Sequence, residues 1–357
     1  MISVIIPAYN DERFIGRCLD SIVSQSFKDY EVVLVLDGST DKTKEIATSY
    51  IGKVNRLFVI EQKNAGAGKA RNNGIDHSSG EFVVFVDADD WLDPDALNIL
   101  HQIEVDTNAD YIVANAITVE KYSNDKLNYR KIGHAQDVFV DERSAVSKLY
   151  FDLNHDSSSH SPWGKMFKSA IIKENNIRFP DLRRSQDIVF NNLYARYISS
   201  IFVSSKYIYY FWNTIYTSSI YKDKTNRRNT PHFIEAEKNH LQTMEVVVST
   251  FYDTMDYRNY TLSDDEQQLM NDGFLVGIYN NIAANVLRSF KNAKYALDNY
   301  RGNTHFQMAI KSPKQVILPY KLLAFLLRNG LYIMSIIYVR VVEFLNLSLK
   351  NIKSICK

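Results

Sequence analysis

The chain has 357 residues, of which 45% are hydrophobic and 23% charged, with a formal net charge of +1. This composition excludes a disordered or collagen-like protein, and the length suggests about two domains. Residues 299–357 carry nine Lys and Arg against Glu343 alone, a net of +8 that leaves −7 on residues 1–298; such a basic tail implies an anionic partner, a membrane surface or a nucleic acid.

The first hundred residues alternate between short β-branched runs and helical stretches. Ser3–Pro7, Glu31–Leu36, Leu57–Ile60 and Glu81–Val86 read as strands, and Glu12–Ser26, Asp41–Tyr50 and Gly66–His77 as helices. Continuous apolar runs such as VVLVL and FVVFV predict burial on both faces, and so an α/β domain with a mostly parallel sheet. Ser39-Thr40-Asp41 suits the N-cap of the second helix. Beyond residue 110 the pattern loosens: Tyr111–Ile117 reads as a strand, Ser157–Ser161 as a loop, Ile188–Ile198 as a helix and Tyr207–Trp212 as an aromatic strand. From residue 229 onward, long 3.6-residue apolar periodicity predicts helices over Phe233–Phe251, Glu266–Phe290 and Pro319–Leu349.

Cys18 and Cys356 lack CxxC or Cys/His zinc spacing and read as free thiols of a reducing compartment. The opening MISVIIPAYND has no basic n-region, so a cytoplasmic protein is expected. Arg340 and Glu343 interrupt Leu331–Leu349, which argues against a membrane span.

Ligands of open parallel sheets bind beyond the carboxyl ends of the strands, which directs attention to three segments. In FVVFVDADDW, Asp87 and Asp89 follow a buried strand, and a turn at Ala88 would let both reach one cation; hard carboxylates suit Mg²⁺ or Mn²⁺. The competing reading is that Asp89-Asp90-Trp91 caps a helix at Pro94. In VVLVLDGST, Asp37 can accept from a base N–H or a ribose hydroxyl, or it is an ordinary turn residue. Between them, QKNAGAGKARNNG fails the phosphate-loop pattern at Lys63 and Ala70, and fails the dinucleotide pattern at Arg71. It leaves a helix entry carrying Lys69 and Arg71, suited to a base or diphosphate or simply to solvent.

Taken in order, ISVIIPAYN, VLDGSTD, NAGAGKARNNGI and FVVFVDADDW resemble the inverting family 2 glycosyltransferases of the GT-A fold, over about residues 1–215. The resemblance implies a UDP-sugar donor, with Pro7, Ala8 and Tyr9 around the base and Asp37 on the uracil. It further implies Asn64 and Arg71 beside the nucleotide, Asp87 and Ala88 at the ribose or sugar, and Asp89 on a Mn²⁺ or Mg²⁺ bound to the diphosphate. Downstream, PWGKMFKSAIIKENNIRFPDLRRSQDIVFNNLYARYI resembles the segment with Trp and Lys before an acidic pair. Here that pair is Gln186-Asp187, so Asp187 inherits the general-base role and Gln186, Trp163 and Lys165 border the acceptor. Asp187 also suits the N-cap of the following helix, and Trp163 suits a core. Some relatives add a His or Asp metal ligand after the aromatic strand; Tyr207–Ser219 has neither, only Asn213 as an amide. His155, His160 and His232 read as packed or polar residues.

The expected organisation is a GT-A domain over 1–228, with a nucleotide-sugar half to about residue 115 and an acceptor half after it, then a helical region over 229–357. The expected activity is metal-dependent, inverting transfer of a hexose or N-acetylhexosamine to a lipid-linked or other cell-surface glycan such as capsule, O-antigen or teichoic acid. Rival functions are a nucleotidyltransferase, a DxD phosphatase and a non-catalytic UDP-sugar-binding scaffold. Residues 313–357 read as amphipathic helices at an anionic membrane surface on the cytoplasmic side, or as a homo-oligomer contact; the interleaved aliphatic clusters argue against nucleic acid.

Overall fold

The computed structural model describes residues 1–54, 56–121, 125–182, 184–214, 240–273, 304–311 and 318–329, together with positions 275, 331, 334, 335, 337–339 and 342. Its first half follows the alternation of the sequence: β1 (Ile2–Ala8), α1 (Ile15–Val23), β2 (Tyr30–Asp37), α2 (Thr43–Thr48), β3 (Leu57–Gln62), α3 (Ala67–His77) and β4 (Phe82–Phe85). β1, β2 and β4 are buried along their whole length, as continuous apolar strands covered on both faces must be. There follow β5 (Trp91–Leu92), α4 (Ala96–Thr107), β6 (Tyr111–Lys121), β7 (Leu127–Ile132), β8 (Val138–Val140), α5 (Arg143–His155), β9 (Lys165–Lys168), α6 (Ser169–Glu174), α7 (Gln186–Ala195) and β10 (Ile201–Thr214).

The strands form one sheet in the order β3-β2-β1-β4-β9-β6-β10-β5, with β7 on β6 and β8 on β10. β3, β2, β1 and β4 are parallel neighbours, and so are β6 and β10. β9 runs antiparallel between β4 and β6 and joins the two parallel sets. The chain leaves β1 for β2 on one side and returns through α3 to β4 on the other. That reversal opens a crevice at the carboxyl ends of β1 and β4, the place where ligands settle in such sheets.

Two local expectations are corrected. The second helix begins at Thr43, with Asp41 accepting from the Thr43 amide at 3.0 Å just before it. Asp90 does not cap α4: that helix starts at Ala96, and Asp90 is fully buried, accepting from Tyr209 Oη at 2.6 Å and from the Trp212 amide at 2.7 Å.

The chain divides into two compact units, residues 1–223 with 247–260 and residues 224–246 with 261–357. α8 (His240–Tyr257) contributes its later turns to the first, where Thr254 Oγ1 donates to the Asn192 carbonyl and Arg258 Nη1 to those of Ala195 and Ile198. In the second unit, α9 (Thr304–Lys311) and α10 (Leu318–Arg328) pack through Ile310, Leu323 and Leu327, and Arg328 Nη1 donates to the Lys311 carbonyl. The expected boundary at 228, His232 and most of the tail over 313–357 lie outside the described residues. Among the described residues, no helix is long and apolar enough to cross a membrane.

Candidate active site

The crevice at the switch point is a cleft of 230 Å³. Pro7, Ala8 and Tyr9 line it from the end of β1, Asp37 from the end of β2, Arg71 from α3, and Asp87, Ala88 and Asp89 from the turn after β4. Asn64 does not line it: this exposed residue stands with its backbone against Gly38, at the rim beside Asp37. Lys69 points away, pairing with Asp181 at 2.8 Å. Asp11, which sequence reasoning passed over, joins the lining. Burial, with Asp89, Asp41 and Asp87 nearby, raises its carboxyl to about 6 against the pull of the Tyr9 amide.

Asp37 is buried and already engaged. Its Oδ1 accepts from Gln62 Nε2 and the Ala65 amide and its Oδ2 from the Gly66 amide, each at 2.8 Å. A carboxylate offers about four acceptor positions, so one remains for a ligand while the other three hold the turn into α3.

Arg71 forms the centre of the site. Its guanidinium is almost wholly buried and forks, with Nη2 donating to Asp87 Oδ1 at 2.6 Å and Nη1 donating to Asp187 Oδ1 at 2.8 Å. Burial opposes its charge, but the two carboxylates outweigh burial and hold the group above its ordinary value. Asp187 sits in the first turn of α7, near the positive end of the helix. Ser185, with φ 58°, is the N-cap instead. Burial pushes the Asp187 carboxyl up; Arg71 opposes this, Asp87 adds to it and Lys165 opposes it. Among the described residues Oδ2 of Asp187 has no hydrogen-bond partner, which leaves it open to take a proton.

Behind the cleft, the Asp87 amide donates to Tyr209 Oη at 3.1 Å, and Tyr209 donates on to Asp90. Burial, with Asp87 and Asp89 nearby, pushes the Asp90 carboxyl far above the carboxylate range. Asp89 is shifted the same way by burial and Asp87. Arg17 Nη2 donates to its backbone carbonyl at 2.7 Å while stacking 3.9 Å over Trp91. Among the described residues no three His, Cys, Asp or Glu are grouped to hold a metal by themselves. Mg²⁺ and Mn²⁺ commonly use one or two carboxylates and complete their shell with water and phosphate. Asp89, crowded by Asp87 and carrying no cationic side-chain partner within 4 Å among the described residues, fits that use.

On the other side of Asp187 lies a second pocket, of 380 Å³, lined by β6, the end of β7, the 156–161 loop, Trp163, Lys165 and Asp187. Trp163 stacks on Tyr209 and Phe211, which makes it both wall and core. Gln186 is turned away and packs against α3; a Cβ at Gly68 would stand 2.1 Å from its Oε1, so a larger residue there would displace the Gln186 amide. His155 stacks on Phe151 outside this pocket, whereas His160 lines it together with His134, a residue to which no sequence signal pointed. The site therefore consists of two cavities linked by one ion pair, between Arg71 of the first and Asp187 of the second.

The model of Glycosyl transferase family 2 matches residues 3–174. Glycosyltransferase GlyA of Streptococcus pneumoniae is 32% identical over 237 residues, which make up 66% of this chain and 33% of that protein. A poly(ribitol-phosphate) beta-glucosyltransferase of Bacillus spizizenii is 33% identical over 216 residues, or 59% of this chain and 32% of that one. The chain thus spans about a third of the length of these two relatives. The uncharacterized glycosyltransferase YibD of Escherichia coli is 30% identical over 247 residues, 66% of this chain and 68% of that protein. Among solved structures, Staphylococcus aureus TarS 1-349 in complex with UDP-GlcNAc aligns with a TM-score of 0.63 at 23% identity, covering 96% of this chain and 90% of that one. The shared fold is the GT-A arrangement followed by C-terminal helices. With its motifs in the expected order around one switch-point cleft, the chain belongs to the family 2 glycosyltransferases.

Proposed function

We propose that the chain transfers a hexose or N-acetylhexosamine from a UDP-sugar, with inversion, to a hydroxyl of a cell-surface glycan or teichoic-acid polymer. The observation that carries this reading is the position of Asp187. Its Oδ1 is held by Arg71, which also holds Asp87 of the donor cleft, and its Oδ2 is open beside the second pocket. The attacking hydroxyl enters from that pocket and gives its proton to Asp187, and the sugar departs from the donor on the opposite side. A single displacement of this kind inverts the anomeric carbon. Asp37 receives the base and Asp89 would hold a Mn²⁺ or Mg²⁺ at the diphosphate. Such an ion offsets the charge of the leaving group. Support for the donor and acceptor classes comes from relatives named as poly(ribitol-phosphate) glycosyltransferases and from the TarS complex with UDP-GlcNAc.

The helical tail is proposed to rest on an anionic membrane surface. α10 leaves Leu322 and Phe325 exposed, as are Leu331, Met334 and Ile337 beyond it, in a segment whose charges are almost all basic. Apolar insertion plus about 1 kcal/mol per basic residue is a basis for peripheral attachment.

The activity is tested by UDP release over a panel of UDP-sugars with glycan and teichoic-acid acceptors, followed by the anomeric configuration of the product. Acceptor-dependent release with inversion is expected. UDP binding with no release from any donor would leave a binding protein, and a retained configuration would remove the single displacement.

A further inference from the structure

Lys165 opens β9 and pairs in register with Val113 of β6, so its side chain is enclosed between the sheet and the 156–161 loop. It is 2% exposed. Among the described residues its Nζ hydrogen-bonds only Ser161 Oγ at 3.4 Å and the Trp163 carbonyl at 3.3 Å, both longer than the ~2.9–3.0 Å usual for such bonds, and it stands 5.9 Å from the centre of the Trp163 ring. Among the described residues no carboxylate oxygen lies within 4 Å of it. Burying an ammonium without a counter-ion is costly, and buried charges are ordinarily paired. Here burial draws the group down to about 7, against the weaker pull of Asp187 and Asp156.

Both carboxylates on the pocket wall have other partners. Asp187 is bound to Arg71. Asp156, half-exposed, accepts from the Ser158 amide at 2.8 Å and faces His134 Nε2 at 3.8 Å. His160 is itself held toward the neutral form by burial and by Lys165. One wall of the pocket is braced: Asn115 clamps the backbone of His134 in both directions at 2.7 Å, and Gly133, at φ +136°, leaves the space that its Cβ would take from Asn115 Oδ1. A compact ammonium beside a hydroxyl and an imidazole suits a tetrahedral oxyanion, whereas a planar carboxylate is better matched by the fork of an arginine.

We propose that this pocket is an acceptor-side phosphate subsite, in which Lys165, with Ser161 and His160, binds a phosphate of the acceptor and so sets the neighbouring hydroxyl beside Asp187. The inference rests on the reading of Asp187 as the base facing the acceptor. It commits to a phosphate-bearing acceptor, whether the phosphate is a phosphodiester of a polyol-phosphate chain or belongs to a lipid-linked saccharide.

The test uses the full chain and three acceptors of matched terminal sugar or polyol: an oligo(glycerol phosphate), a prenyl-diphosphate-linked saccharide and the same saccharide without phosphate. In the unaltered protein, transfer to a phosphate-bearing acceptor is expected to show a KM at least 10-fold below that of the neutral one. Which of the two is preferred identifies the source of the phosphate. sn-Glycerol 3-phosphate is expected to inhibit competitively against the acceptor. Lys165→Met is expected to raise the KM of the phosphate-bearing acceptor about 10- to 100-fold, the range for a lost charged hydrogen bond, with the affinity for UDP within twofold of its original value. If Lys165→Met does not fold, Ser161→Ala carries the same test with a 3- to 10-fold rise. Equal KM values for neutral and phosphate-bearing acceptors, or inhibition by sn-glycerol 3-phosphate that is not competitive with the acceptor, overturns the subsite while leaving the transferase reading in place. Absence of transfer to every acceptor from every UDP-sugar overturns that reading itself.

Discussion

Replacing Asp187 by Asn removes a proton acceptor while keeping an oxygen where Arg71 Nη1 now donates at 2.8 Å. Arg71 Nη2 stays on Asp87 at 2.6 Å, and volume is conserved in the first turn of α7. The cost to folding is therefore that of weakening one charged hydrogen bond, about 1–3 kcal/mol. The catalytic loss is larger: general-base assistance contributes about 10²–10⁴-fold, or roughly 3–5 kcal/mol of barrier. Turnover measured by UDP release at saturating donor and acceptor is expected to fall by that factor, with UDP affinity by calorimetry within about twofold. The pH profile adds a second readout. Burial, aided by Asp87 and opposed by Arg71 and Lys165, sets the Asp187 carboxyl above its ordinary 3.8. A base must be ionised to act, so the activity of the unaltered protein falls as pH drops through that raised value. Asp187→Asn lacks this limb. Turnover within threefold of the original, or an unchanged acid limb, would refute the assignment.

Four further outcomes follow from the same geometry. Asp89→Asn is expected to abolish the Mn²⁺-dependent part of UDP affinity in calorimetry; an unaltered Mn²⁺ increment removes Asp89 from the ion. Arg71→Met leaves two partly buried carboxylates facing each other without their buried cation, a loss of about 3 kcal/mol, the lower end of the range for a broken buried pair. At about 2–4 °C per kcal/mol its Tm should fall by around 10 °C, and a fall under 3 °C contradicts the buried fork. Asp90, pushed up mainly by burial, stays protonated when folded and ionises when unfolded. The folded state then binds more protons, so its contribution is full below the ordinary aspartate value near 3.8 and fades as pH rises toward the folded one. Asp90→Asn should therefore gain in Tm relative to the original protein between pH 5 and pH 8; a constant difference sinks the idea. For the tail, the full chain is expected to float with anionic but not neutral vesicles, and Leu322→Gln combined with Phe325→Gln should reduce flotation. Equal flotation of both proteins, or none, rejects the membrane reading.

The cleft at the ends of β1, β2 and β4 was legible because each of its signals is local. Buried strands announce themselves by continuous apolar runs, and the residue after such a run must stand at the sheet's carboxyl edge; Asp37, Asp87 and Asp89 were found this way. Asp90 was not, since its burial depends on Tyr209 and Trp212, well over a hundred residues downstream. The second pocket rests on short or irregular pieces. β9 has four residues and follows Gly164 at φ +68°, too little for a period of two to show. Its antiparallel insertion between β4 and β6 is a tertiary choice that brings Lys165 beside Asp187. His134 enters the pocket only because Asn115 fixes its backbone, a contact with no sequence pattern behind it. Arg71 stood out as a basic residue near a nucleotide, but its bond to Asp187 spans 116 positions.

That bond explains why one basic residue can organise both cavities. A guanidinium is planar, and its two terminal nitrogens hold a fixed spacing and direction. With Nη2 on Asp87 and Nη1 on Asp187, the angle between the turn after β4 and the carboxylate on α7 is set by the geometry of one side chain. A lysine would supply the charge as a single point, and its flexible stem could satisfy either carboxylate without fixing the other. The acidic surplus of residues 1–298 thus has a local counterpart: Asp11, Asp37, Asp87, Asp89 and Asp187 gather at this end of the sheet, and Arg71 pairs with two of them, Asp87 and Asp187. Transfer requires a hydroxyl and an anomeric carbon to meet within a few tenths of an ångström of a productive arrangement. Under the proposed mechanism that alignment would run through Arg71, the residue bonded to both acids.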